Sequence, residues 1–122
     1  MVDAALERWF TPHFRIENPE TMGLVRGWLE ANDPTVYPSI YRVLADGNAE
    51  LVDLIQSINC PTLVMTGEDD TGNSPEMACR MAEIIPGGRS VVLPGLRHMA
   101  LAEDPDQFNA HLISFLQTAL YS

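Results

Sequence analysis

The 122-residue sequence contains no lysine, only two cysteines, and no apolar run near the ~20 residues that span a membrane. Without a side-chain amine no imine can form with a carbonyl substrate, which excludes Schiff-base chemistry on this chain. Basic charge rests on seven arginines spaced widely from Arg8 to Arg97. Neutralising phosphates needs clustered cations, so neither nucleic acid nor an anionic membrane is an expected partner. Cys60 and Cys79 are too far apart for a CxxC pair, and no second pair exists to complete a zinc site. Both read as reduced structural thiols, and no metal or other cofactor is expected. The start, Met1-Val2-Asp3-Ala4-Ala5, has neither the basic residues nor the apolar core of a signal peptide, which makes a cytoplasmic setting the expectation.

What is present is acidic. The formal charge is −10, with Asp and Glu scattered from Asp3 to Asp106. Spread in this way, the charge serves solubility rather than a docking tail. A chain of this length buries roughly 65–70% of its unfolded surface, enough for one modest core.

The first half is patterned for helices. Val2, Ala5, Leu6, Trp9 and Phe10 recur at helical spacing until Pro12 stops them. Asn18-Pro19-Glu20 then starts a helix with Met22, Val25, Trp28 and Leu29 on one face. Asp33-Pro34 repeats the signal for a stripe of Tyr37, Ile40, Tyr41 and Leu44, although Pro38 moves the start toward itself and Asp46-Gly47-Asn48 ends the pattern. Leu51, Leu54, Ile55 and Ile58 form a fourth stripe before Cys60-Pro61.

The period then changes. Thr62-Leu63-Val64-Met65-Thr66, ended by Gly67, has the look of a strand buried on both faces. Ser74-Pro75 opens a helix with Met77, Ala78, Met81, Ala82 and Ile85 on one side, and Pro86-Gly87-Gly88 closes it. Ser90-Val91-Val92-Leu93 is a second strand, so the unit is a parallel crossover. Asp104-Pro105-Asp106-Gln107 caps a last helix carrying Phe108, Leu112, Phe115, Leu116 and Ala119. The chain divides into a helical segment, 1–58, and a βαβα part, 59–122. Two parallel strands leave two unpaired edges, so the sheet is expected to belong to something larger.

In a parallel sheet, loops leaving the C-terminal strand ends share one rim, where open α/β sheets place their sites. Glu68-Asp69-Asp70 leaves the first strand and Arg97-His98-Met99 follows the second. An Asp and a His on neighbouring loops can touch. A carboxylate on imidazole Nδ1 then sets the tautomer and leaves Nε2 free to take a proton. Each alone has an ordinary reading, as a solvated turn and as a surface histidine. Placed on one rim, Asp70 and His98 become a candidate acid and base. His13 and His111 read as surface residues, and Arg97 as a surface or carboxylate-pairing one. Trp9, Phe10, Phe14, Trp28 and Tyr37 are candidates to line an apolar substrate pocket, with core packing as the alternative for each.

These residues resemble those of the α/β-hydrolase superfamily. Cys60-Pro61-Thr62-Leu63-Val64-Met65-Thr66-Gly67-Glu68-Asp69-Asp70 looks like the strand and turn that bear its triad acid. Ile85-Pro86-Gly87-Gly88 through Pro94-Gly95-Leu96-Arg97-His98-Met99 looks like the strand and loop that bear its histidine, and Glu103 to Phe108 with Phe115-Leu116 like its closing helix. The resemblance assigns the acid to Asp70, with Asp69 the weaker candidate because the run to Pro75 is one residue longer than in many members. Arg8-Trp9-Phe10-Thr11-Pro12 and Asn18-Pro19-Glu20 are similar to the lid helices of 3-oxoadipate enol-lactonase-like members. That implies a partial α/β-hydrolase fold, hydrolysis of an ester or lactone without a cofactor, and Trp9, Phe10 and Trp28 over the site.

The departure from the family is the nucleophile. Its serine sits in a Gly-x-Ser-x-Gly elbow that also supplies part of the oxyanion hole, ahead of the acid and histidine in the chain. No such motif occurs here; Gly88-Arg89-Ser90 is the nearest echo, at the wrong end of its strand. The expectation is a C-terminal hydrolase part with acid and base alone. The alternative is a non-catalytic module that pairs through its open sheet edge with a copy of itself or with a partner chain.

Overall fold

The computed structural model describes residues 1–120, apart from the side chains at 48, 49 and 120. Helix α1 (Val2–Trp9) places Asp3 in its first turn and Arg8 in its last, the arrangement a helix dipole favours. It buries Leu6, and Phe10 just beyond its end, against Val25 of α3 (Pro19–Glu30). Between them lies a helix that the pattern did not announce. In α2 (Pro12–Glu17) Pro12 opens a helix instead of merely stopping one, because the Thr11 hydroxyl accepts from the Phe14 N–H and proline's missing donor costs nothing in a first turn. Its Phe14 ring stacks on Phe10, 5.4 Å between centroids.

Helix α4 (Tyr37–Leu51) begins one residue before Pro38 and runs through Asp46-Gly47-Asn48 to Leu51. The expected stop there is incorrect: an interior glycine costs only about 1 kcal/mol against alanine, less than a continuing helix recovers from its neighbours. The fourth stripe shrinks to a single 3₁₀ turn, Ile55–Ser57. Ile40, Val43, Leu44 and Leu54 are all more than half exposed, so the apolar side of this region lacks a cover among the described residues.

Strands β1 (Leu63–Gly67) and β2 (Arg89–Leu93) pair in parallel, from Leu63 opposite Arg89 to Gly67 opposite Leu93. Helix α5 (Pro75–Ile84), capped by the Ser74 hydroxyl, is the crossover and packs on both. A one-turn helix α6 (Ala100–Glu103) occupies part of the expected loop, and α7 (Pro105–Leu120) closes the chain. Leu93, Leu96 and Ala100 make a second core, with Phe108 against them. The register brings the C-terminal ends of both strands, Gly67 and Leu93, to one rim. The architecture is a partial α/β fold: helices, then two parallel strands with flanking helices. No described helix is long and apolar enough to cross a membrane.

Candidate active site

The turn after β1 fastens the loop after β2. The Leu96–Arg97 backbone passes so close to Gly67 that a Cβ there would lie 2.7 Å from the Leu96 carbonyl carbon, leaving glycine as the residue that fits. Glu68 donates its N–H to the Leu93 carbonyl at 2.9 Å, and its carboxylate receives the N–H of Gly95 at 2.9 Å. Gly95 itself adopts φ +67, a conformation that favours glycine. The Asp69 N–H donates to the Leu96 carbonyl at 2.9 Å while its own side chain stays exposed.

Asp70 turns inward and is 5% exposed. Its Oδ1 accepts the N–H groups of Gly72 and Asn73, each at 2.9 Å, and its Oδ2 lies 2.8 Å from His98 Nδ1. Burial pushes this carboxyl's pKa up, but the Asn73 N–H, the His98 ring and the Gly72 N–H together outweigh it and hold the group below the ordinary carboxylate range. Asp70 is therefore ionised at neutral pH, and the Nδ1 proton belongs on His98. The buried Thr66 hydroxyl anchors this loop by donating to the Asn73 carbonyl at 2.6 Å. The Asn73 amide stands 3.3 Å from the same ring nitrogen and flanks it.

The helical front is tied to the same loop. Met99 donates its N–H to the Trp9 carbonyl at 2.9 Å, and the Arg97 guanidinium donates to the Glu7 and Phe10 carbonyls. Of the two readings of Arg97, as a surface or a carboxylate-pairing residue, the second is not met: its guanidinium serves backbone carbonyls. One oxygen of Glu103 accepts the Thr11 N–H at 2.9 Å and the Thr11 hydroxyl at 2.5 Å, while the other accepts the Arg97 N–H at 2.9 Å. These bonds set the Trp9 ring beside His98, 6.1 Å between centroids.

Trp9, Arg8, Tyr37, Tyr41, Asn73 and His98 are among the residues lining a cavity of about 620 Å³. Of the five aromatic residues expected to face a substrate, Trp9 and Tyr37 reach it, while Phe14 packs on Phe10. Phe10 has no exposed surface and belongs to the core with Leu6 and Val25. Trp28 is 59% exposed and takes no part in lining this cavity. Tyr41 and Asn73, neither of them an expected site residue, also line it, and the four-residue step from Tyr37 to Tyr41 places both rings on one helix face. His13 is a surface residue paired with Glu17 at 3.0 Å, and His111 is exposed. Ser90 pairs with Val64 toward the other end of the sheet, its hydroxyl 3.7 Å from Cys79 Sγ. Among the described residues, the hydroxyls lining the His98 cavity are the phenols of Tyr37 and Tyr41. Among the described residues no group of three His, Cys, Asp or Glu side chains could hold a metal ion.

The chain is 32% identical over 117 residues to the (E)-2-((N-methylformamido)methylene)succinate hydrolase of Acinetobacter baylyi, covering 96% of this chain and 44% of that protein. It superposes on the enol-lactonase of Burkholderia xenovorans LB400 with a TM-score of 0.83 and 29% identity, covering 95% of this chain and 44% of that one. A thermophilic esterase from Thermogutta terrifontis matches with a TM-score of 0.76 and 26% identity, over 97% and 43% of the two chains. No protein-family model matches. The chain spans less than half the length of these relatives, and the part matched is their C-terminal portion.

Proposed function

Because the chain belongs to the α/β-hydrolase superfamily, matching the C-terminal portion of its relatives, we propose that it supplies the acid and base of a serine-dependent ester or lactone hydrolase whose nucleophile lies outside these 122 residues. The observation that carries this reading is the His98–Asp70 pair. A buried carboxylate, with one oxygen saturated by two N–H groups, holds Nδ1 at 2.8 Å and leaves Nε2 at the cavity without a hydrogen-bond partner among the described residues.

In this reading Nε2 takes the proton of a serine hydroxyl as it attacks the acyl carbon, and returns it to the departing alkoxide. A water then repeats the cycle to free the acid. Asp70 keeps the imidazole in the tautomer that leaves Nε2 basic and steadies the imidazolium in between. Helices α1 to α4 act as a lid, with Trp9 against the base. The relatives' names, an enol-lactonase, an esterase and a hydrolase of a succinate derivative, support a small ester or lactone as substrate. Within the 122 residues there is no Gly-x-Ser-x-Gly elbow and hence no oxyanion donors from it, so acid and base alone give little rate.

The test is hydrolysis of an activated phenyl ester by the purified chain beside His98→Ala. Equal, near-background rates are expected. Turnover that vanishes in the variant would overturn the absent nucleophile.

A second reading rests on the sheet. Only two strands pair among the described residues, and no third covers either outer edge. An interaction module pairing through that edge predicts a concentration-dependent oligomer by light scattering, and a monomer at all concentrations rejects it.

A further inference from the structure

Asn73 touches both members of the candidate pair. Its backbone N–H donates to Asp70 Oδ1 at 2.9 Å, its carbonyl accepts the Thr66 hydroxyl at 2.6 Å, and its side-chain amide stands 3.3 Å from His98 Nδ1. The first two bonds fix the backbone. The amide is left free to turn, because neither of its ends has another hydrogen bond among the described residues. Which end faces the ring is decided by the ring's own proton. Asp70 is ionised and lies 2.8 Å from Nδ1, so Nδ1 carries its proton toward Oδ2 and has no lone pair to offer. An amide NH₂ at 3.3 Å would set donor against donor, whereas an amide oxygen there accepts a share of the Nδ1 proton. The two ends are alike in size, so turning the group needs no extra room.

Resting on the hydrolase reading above, we infer that Asn73 is a positioning residue for the base: its amide oxygen is a second acceptor for the Nδ1 proton of His98, beside the Asp70 carboxylate. Two acceptors on one N–H hold the ring against rotation about its bond to Cβ. They also favour the imidazolium that forms when Nε2 takes the serine proton, because a carbonyl dipole aimed at N–H is worth more once the ring is charged. Asn73 acts through His98 and makes or breaks no bond of the substrate. The other charged or titratable side chains at the ring or lining its cavity are Asp70, which holds Nδ1, and Arg8 of α1 with Tyr37 and Tyr41 of α4.

The experiment follows the His98 ring of the full chain by nuclear magnetic resonance through a pH titration, in the parent, Asn73→Ala, Asn73→Asp and Asp70→Asn. Residue 73 is exposed and its two backbone bonds do not depend on its side chain, so both Asn73 variants keep the turn. Asn73→Ala should lower the titration midpoint of the ring by about half a pH unit, a roughly threefold loss of proton affinity. Asn73→Asp, which offers the ring only oxygens, should raise it, and Asp70→Asn should lower it further than Asn73→Ala does. The sign is the decisive reading. A midpoint that rises in Asn73→Ala means that the NH₂ end faces the ring and overturns the inference, as does a midpoint unmoved by both Asn73 variants. Either result, with Asp70→Asn still lowering the midpoint, spares the hydrolase reading. A midpoint indifferent to Asp70→Asn sinks the hydrolase reading, and with it the role given to Asn73.

Discussion

Gly67→Ala is expected to separate the acid from the base without touching either. An ordinary Cβ contact lies at 3.4–4 Å, and here the new carbon would stand 2.7 Å from the Leu96 carbonyl carbon and closer still to the Leu96 and Arg97 oxygens. The obstruction is backbone, so relief requires the Leu96–Arg97 segment to retreat by about an ångström. His98 follows directly in the chain, and its 2.8 Å bond to Asp70 then stretches to roughly 3.6 Å, where it no longer counts as a hydrogen bond. The Asp69 N–H loses the Leu96 carbonyl by the same movement. One neutral and one charge-assisted bond, at about 1 and 1.5–3 kcal/mol, put the loss near 2.5–4 kcal/mol. Urea unfolding followed by far-ultraviolet circular dichroism should move its midpoint down by about 2 M. The downfield resonance of the His98 Nδ1 proton should weaken or vanish. Gly23→Ala is the control: it sits in α3 with nothing within 4 Å of the added carbon, and should stabilise by roughly 0.5–1 kcal/mol. A Gly67→Ala chain with unchanged midpoint and intact Nδ1 resonance would refute the claim that this glycine sets the loop.

Asp70→Asn should reverse the His98 tautomer, because an amide NH₂ facing Nδ1 needs an acceptor there; nitrogen-15 shifts of the ring read the outcome, and an unchanged pattern contradicts the assigned roles. The carboxyl of Asp70 is held below its ordinary pKa, so its contribution to stability is present above about pH 4 and is lost as pH falls through the folded value. The stability difference between the parent and Asp70→Asn should accordingly shrink in acid, and one that stays constant from neutral pH to pH ~2 argues against the bonded carboxylate. Glu103→Ala leaves the Thr11 and Arg97 N–H groups without their acceptor, which should cost about 2 kcal/mol and speed amide hydrogen exchange at both; unchanged protection would mean the bridge carries no load. Phe10→Ala should cost about 3–5 kcal/mol and Trp28→Ala within about 0.5, as their burial dictates, and comparable losses in thermal unfolding would contradict the placement of these rings.

Elements written by local physics could be read directly. Thr62–Gly67 and Ser90–Leu93 declared themselves as apolar runs bounded by Gly and Pro, and the crossover between them is capped where Ser74-Pro75 announces it. Proline and glycine misled where each has two uses. Pro12 is a first-turn residue as well as a breaker, and Gly47 is tolerated in a helix that its neighbours hold. The aromatic residues show the limit of periodicity. Trp9 and Phe10 are adjacent in sequence, yet one lines the His98 cavity and the other vanishes into the core, because consecutive residues leaving a helix point about a quarter-turn apart.

The order of strand, acid, strand and histidine was determined by the sequence alone, because parallel strands are written as continuous apolar runs, even though most of β2 is exposed here, and the residues that follow them must reach the same rim. The clamps around the pair were decided by the tertiary structure. Glu103 meets Thr11 across 92 positions, and Glu68 meets Gly95 across 27. A carboxylate chooses its donors by distance in space, and no local pattern records which N–H groups folding will leave in need of an acceptor.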